Sequence, residues 1–175
     1  CNNLLQNNSR EFTKFILDEA FYIDTGELVS YRSKANTSLI QDTLKSCIKS
    51  IELSQSDLTV FPDELAVFSS LERLALRANQ LQQLQGYGKF EGFENLKHLD
   101  LSYNDFREVD NHILKFKNLE TLDLTANQNL RTITPEIKQL KNLKTLLLGF
   151  TPYSDNEHEI RRLEILLPNT EIIVY

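Results

Sequence analysis

The strongest constraint on how this chain folds is the nearly fixed period on which its leucines return. Thirty of its 175 residues are leucine, and from Ile48 onward they fall into register in segments beginning at Ile48, Leu71, Leu96, Leu119 and Leu143. Successive starts are 23, 25, 23 and 24 residues apart. Each segment follows Leu-x-x-Leu-x-Leu-x-x-Asn-x-Leu. The third reads Leu96, Leu99, Leu101, Asn104 and Phe106, with Val109, Ile113 and Phe116 continuing. A period of this length marks a stacked repeat. Within Leu-x-Leu, side chains alternate across a short strand, so Leu74 and Leu76, Leu99 and Leu101, and Leu122 and Leu124 point to one side. One repeat cannot bury its leucines alone. Stacked, each adds six or seven apolar side chains, worth about 1.5–3 kcal/mol apiece before entropy is subtracted, so the repeats stand or fall together.

Other residues punctuate the period. Asn79, Asn104 and Asn127 fall where the chain leaves the strand, and a buried Asn there can bond the turn and its neighbour. Ser56 and Thr151 hold that position in the first and last repeats, where one neighbour is missing. Pro62 and Pro135 suit the first turn of short helices. Asn95, Asn118 and Asn142 precede the next repeat, where Asn tolerates a left-handed backbone. At the C-terminal end, Ser154-Asp155-Asn156-Glu157 reads as a capping box. It predicts a helix with Ile160, Leu163, Leu166 and Leu167 on one face, stopped by Pro168, and then a strand holding Ile172 and Val174. Near the other end, Glu19 to Asp24 and Glu27 to Arg32 flank Thr25-Gly26 and suggest a hairpin. Phe12, Phe15 and Ile16 suggest a short helix, and Thr37 to Cys47 a helix bringing Leu39, Ile40 and Leu44 over the first repeat.

This pattern resembles the leucine-rich repeat family, and within it the bacterial repeats of about 23 residues abundant in spirochaetes. The match runs over residues 48–150, and the closing Arg-Arg-Leu-Glu-Ile-Leu-Leu-Pro-Asn-Thr-Glu-Ile-Ile-Val resembles that subgroup's ending. The resemblance implies an α/β right-handed solenoid, with a parallel β-sheet on the concave face and short helices and loops on the convex face. It implies non-catalytic recognition of a protein partner by the concave face. The organisation expected is a tether and flanking segment over 1–36 and a repeat domain over 37–175. That domain divides into an N-cap helix at 37–47, repeats at 48–153 and a C-cap at 154–175. The opening Cys1-Asn-Asn-Leu-Leu resembles a bacterial lipoprotein tether, which implies a lipid on Cys1 and a place in the cell envelope or at the surface. Secretion, a cytoplasmic location and an arbitrary start of numbering are the alternatives.

Charge narrows the partner. The net charge of −6 and pI near 5.1 disfavour nucleic acid, which requires a gathered Lys/Arg surplus. No apolar run is long enough to span a bilayer. Catalytic and cofactor signals are absent. Cys47 has no His near it in the repeat register to act as a base and reads as a structural thiol. Gly86, Gly88 and Gly92 lack the Gly-Lys-Ser/Thr of a phosphate loop and read as a bulge taking up the two extra residues of the second repeat, with Tyr87 and Phe90 as minor contact candidates. His112 and His158 fall far apart in the register.

His98 and Asp100 share the outward side of one strand, with Asp123 in the next, about 4.8 Å away by strand spacing. These three could hold calcium or zinc, an alternative function, but solvated carboxylates are the simpler reading, since a closed site needs more ligands. Lys49, Glu72, Lys97, Glu120 and Lys144 form a column of alternating charge. Arg73, Arg77, His98, Asp100, Tyr103 and Asp123 make the mixed, aromatic-bearing surface expected of a protein-binding face. Leu147 breaks the pattern by placing an apolar residue outward. With Phe150 and Tyr153 it forms an apolar patch for a partner or self-association, unless the C-terminal cap folds over it.

Overall fold

A computed structural model describes residues 22–24, 27–29, 46, 48–84 and 92–175. Cys1, Cys47, the expected helices before residue 48 and most of the glycine-rich bulge lie outside the described residues. Strands β1 (Tyr22–Asp24) and β2 (Glu27–Val29) pair antiparallel, with Asp24 opposite Glu27, which is the hairpin expected around Thr25-Gly26. Then follow β3 (Ser50–Glu52), β4 (Arg73–Ala75), β5 (His98–Asp100), β6 (Glu108–Val109), β7 (Thr121–Asp123), β8 (Thr132–Ile133), β9 (Thr145–Leu147) and β10 (Glu171–Ile173). Six of these form one parallel sheet in the order β3-β4-β5-β7-β9-β10. The chain is thus an α/β leucine-rich repeat solenoid, one sheet strand per repeat. A second, two-stranded parallel sheet pairs β6 with β8, and the repeat pattern alone did not point to it.

Register follows from which side chain must be dry. Ile51, Leu74, Leu99, Leu122 and Leu146 lie side by side and are buried, with Ile172 closing the row. Slipping one strand by one residue would turn its leucine outward. On the returning half, Phe61, Phe93 and Phe116 pack as a triad with ring centroids 5.5–6.0 Å apart, in tilted and edge-on arrangements. Aromatic pairs prefer such geometry to a face-to-face stack. The short helices are tight 3-10 turns: η1 (Asp63–Val67), η2 (Asn111–Lys115) and η3 (Pro135–Gln139). Pro135 opens η3 as expected, but Pro62 sits one place earlier, as the residue capping η1.

The turn asparagines form the ladder the sequence suggests. Asn127 is fully buried. Its Oδ1 accepts from Phe106 N at 3.0 Å, and its Nδ2 donates to Leu101 O and Leu124 O at 3.0 and 2.9 Å. Asn104 and Asn79 repeat this, each tying its own strand end to the preceding repeat. Thr151, with no asparagine amide, bonds only its own turn, donating to Leu148 O at 2.7 Å.

The left-handed residues are not where the sequence suggests. Asn95, Asn118 and Asn142 are absent from the positive-φ residues. In each repeat a left-handed residue stands just before the turn position instead: Gln55, Ala78, Tyr103, Ala126 and Phe150, with φ between 54° and 59°. The other asparagine row forms an outer ladder. Asn95 Nδ2 donates to Ser69 O at 2.7 Å and Asn118 Nδ2 to Glu94 O at 2.6 Å, while Asn142 Nδ2 bonds Asn118 Oδ1 at 3.1 Å. The turn must reverse within a residue or two, and the backbone meets that demand next to the buried amide that holds it.

The C-terminal cap also shifts slightly. Helix α1 (Glu157–Leu166) is capped by Asn156, whose side chain accepts from Glu159 N at 3.2 Å. Ser154, expected to cap, instead donates to Leu148 O at 3.0 Å. Leu163 and Leu167 are buried and Ile160 and Leu166 pack against the core, as the helical spacing predicts.

Candidate functional site

The sheet's open face carries the side chains that alternate with the buried leucines. Two rows cross it. One runs Ser50, Arg73, His98, Thr121, Thr145 and Glu171; the other runs Glu52, Ala75, Asp100, Asp123, Leu147 and Ile173. Strand register thus brings together five of the eight residues singled out: Arg73, His98, Asp100, Asp123 and Leu147. They line one open hollow of about 390 Å³ with Ser50, Glu52 and Ala75. Ala75 is what the sequence reading missed. A methyl group stands between Glu52 and Asp100, and the hollow opens above it. The signal was available as the one small residue in a row of longer ones.

Electrostatics within the hollow are local. Asp100 Oδ1 accepts from Ser102 N at 2.9 Å and Asp123 Oδ1 from Thr125 N at 2.8 Å, so each carboxylate braces its own turn. His98 Nδ1 lies 3.2 Å from Thr121 Oγ1. Burial, and then the Arg73 charge, push the imidazole below its ordinary value. Among the described residues no group of three His, Cys, Asp or Glu side chains is placed to hold a metal ion. Of the three residues considered for calcium or zinc, Asp100 and Asp123 each give one oxygen to a backbone N–H and His98 faces a hydroxyl.

Arg77 and Tyr103 sit at the rim. The Arg77 guanidinium lies 4.2 Å from the Tyr103 ring centroid, a cation–π contact worth about 0.5–1 kcal/mol where exposed. Tyr103 is 46% exposed and left-handed at φ 55°, a conformation uncommon for an aromatic residue. No carboxylate pairs with Arg73 or Arg77 among the described residues. Arg77 keeps its N–H edge and the face turned away from Tyr103.

Below the hollow runs the charge column. Lys49 and Lys97 each reach the Glu72 carboxylate at 3.0 Å, and Lys144 reaches Glu120 at 2.6 Å. The hydrogen bonds and charges of Lys49 and Lys97 hold Glu72 down from 4.5 to about 2. A folded value below the unfolded one means that this stabilisation is complete above about pH 4.5 and is lost as pH falls through about 2. Glu72→Gln is accordingly expected to lower the melting temperature at neutral pH, the gap from the parent closing as the acid limb is descended. Melting curves from pH 2 to 7 measure this, and curves parallel at every pH would remove the assignment.

The C-terminal apolar patch is rearranged. Tyr153 is buried, its hydroxyl 3.5 Å from Arg131 O, so for this residue the covered alternative holds. Leu147 is half-buried beside Ile173 of the added strand. Phe150 is 63% exposed and lies against Tyr175, with ring centroids 6.4 Å apart. Gly149 makes this possible, since a Cβ there would meet the Tyr175 ring at 2.6 Å.

Comparison with known proteins gives a consistent picture. The family model described as "Leucine rich repeat" matches residues 46–106 and 69–128. CD180 antigen of Mus musculus is 29% identical over 133 residues, covering 61% of this chain and 20% of that protein. Toll-like receptor 4 of Bos taurus is 27% identical over 140 residues, covering 79% of this chain and 16% of its own length. The structure of a leucine-rich repeat protein from Leptospira interrogans superposes with a TM-score of 0.50 at 30% identity, over 75% of this chain and 38% of that one. The chain thus spans a minor part of each of these relatives.

Proposed function

We propose, on the premise that this chain belongs to the leucine-rich repeat family, that it is a non-catalytic module whose open sheet face binds a protein partner. The display across β4, β5 and β7 carries this reading. Arg73, which pairs with no carboxylate among the described residues, stands with the carboxylates of Asp100 and Asp123 around one hollow, in strand register, with Arg77 stacked on the exposed Tyr103 at the rim. Tyrosine and arginine are the side chains on which interfaces concentrate their binding energy. Rigid strands hold them in place before the partner arrives, which lowers the entropic cost of docking. The guanidiniums suit partner carboxylates, and Asp100 and Asp123 suit a basic side chain. Catalysis would need a nucleophile, a base and a group orienting that base. His98 contacts a threonine and hydrogen-bonds no carboxylate among the described residues.

Crosslinked capture with the partner's source extract tests the face. Changing Arg77 and Tyr103 together to alanine is expected to weaken capture roughly tenfold or more, whereas Lys138→Ala, outside the face, leaves it intact. Undiminished capture by the double variant would remove the assignment. A place in the cell envelope or at the surface, through a lipid on Cys1, belongs to the same proposal. Growth with a labelled fatty acid is expected to mark the protein but not its Cys1→Ser variant, and an unlabelled parent would end the anchoring idea. A self-contact belongs at the other end of the sheet, around Leu147 and Phe150.

A further inference from the structure

We infer that the open edge of β10 pairs antiparallel with the same edge of a second copy of this chain, about a two-fold axis at Ile173, joining two six-stranded sheets into one. The inference rests on the self-contact placed at this end and is independent of the Arg77–Tyr103 face. Strand β10 ends the sheet order, so among the described residues nothing pairs with its outer side. Its inner side is assigned. Glu171 N donates to Lys144 O at 2.8 Å, Leu148 N to Ile173 O at 2.8 Å and Phe150 N to Tyr175 O at 3.4 Å. Alternation along an extended strand then turns the N–H and C=O of Ile172 and Val174 to the open edge. A two-fold axis at Ile173 sets Ile172 opposite the copy's Val174, and each such pair exchanges two backbone hydrogen bonds. The edge is its own complement.

What surrounds the edge fits the same operation. Of the exposed large apolar residues Tyr103, Phe150, Ile165, Val174 and Tyr175, all but Tyr103 lie at this end. Natural sheet edges are blunted by charged side chains, proline, bulges or shortness; β10 is short and opens on Glu171, but the run Ile172-Ile173-Val174-Tyr175 that follows carries no charge and no proline. Beside Val174 a groove of about 310 Å³ carries Glu157, Arg161 and Glu164, with Arg161 reaching Glu157 at 3.5 Å and Glu164 left beside them. Exposed charges of both signs on one surface are what a two-fold contact can satisfy reciprocally, Arg161 of each copy meeting Glu164 of the other. A three-residue ladder alone falls short of the roughly 800 Å² per partner of a stable interface. Phe150 and Tyr175 widen it on the open face, and the α1 residues Ile160, Arg161 and Glu164 beside Val174 widen it on the other.

The test is sedimentation of the full chain over a concentration series, with circular dichroism to confirm folding. A monomer–dimer equilibrium is expected. Val174→Pro removes an outward N–H while leaving the inner ladder untouched, and is expected to weaken the dimer roughly tenfold or more. In a chain also carrying Cys1→Ser and Cys47→Ser, Ile173→Cys is expected to oxidise to a disulfide dimer, since directly opposed residues bring Cα atoms to about 4.5–5.5 Å. A monomer at every concentration overturns the proposal. So does a dimer indifferent to Val174→Pro, or one that Ile173→Cys leaves unbridged.

Discussion

Asn127→Ala is expected to lower the unfolding free energy by about 3–5 kcal/mol, out of proportion to the few atoms removed. The side chain has no solvent exposure and satisfies three backbone groups, Phe106 N, Leu101 O and Leu124 O. Alanine leaves Phe106 N bare, at about 1–3 kcal/mol, and takes one further hydrogen bond, worth about 0.5–1.5 kcal/mol, from each of Leu101 O and Leu124 O, which keep Asn104 Nδ2 at 3.1 Å and Asn127 N at 3.3 Å. The loss also falls at a junction, because Phe106 and Leu101 belong to the repeat before Asn127, so two repeats loosen together. Thr151→Ala is the control. It removes a hydroxyl bonded only within its own turn and is expected to cost about 1 kcal/mol. Denaturant unfolding of the two variants beside the parent decides the matter. Equal losses would mean that the asparagine ladder contributes nothing beyond local turn bonding.

Gly92→Ala should be at least as damaging, for a steric reason. Gly92 has φ 120°, and a Cβ there would lie 2.1 Å from Ala66 O and 2.9 Å from Ala66 C. Both atoms are backbone in η1, so relief requires moving that helix and the Phe61 and Phe68 packing around it. Strain at such a φ together with overpacking amounts to roughly 3–5 kcal/mol. Gly149→Ala provides the comparison. Its Cβ would meet the Tyr175 ring at 2.6 and 2.8 Å, but that ring ends a largely exposed side chain that can rotate away. The expected cost is about 1 kcal/mol or less. Thermal melts that rank the two glycines the other way would refute the argument from what each Cβ meets.

How far the site was legible in the sequence can be judged from particular residues. Arg73, His98, Asp100 and Asp123 were placed correctly relative to one another because a strand alternates and neighbouring repeats share a register. Their chemistry was less legible. The carboxylates of Asp100 and Asp123 look like free ligands on paper, yet each spends an oxygen on a backbone N–H two residues on. The sequence leaves Tyr153 either exposed beside Phe150 or covered, and it is buried, while Tyr175, which no repeat position announces, lies against Phe150. The left-handed residues were assigned by residue preference to the asparagines before each strand. The geometry of the turn overrode that preference and assigned them to Tyr103, Phe150 and others.

The amino-acid order alone determined which side chains are dry, how the strands align and where the buried asparagines link them. Each follows from a short-range alternation repeated at a constant interval, and burying leucine rewards a single register. Tertiary structure alone decided the hollow over Ala75, the Tyr103 and Phe150 conformations and the exposed rim of β10. Those depend on what residues some 25 positions away leave uncovered, and on how the last strand closes the stack. A periodic pattern describes a repeat with neighbours on both sides, and that description stops holding at the strand that closes the stack.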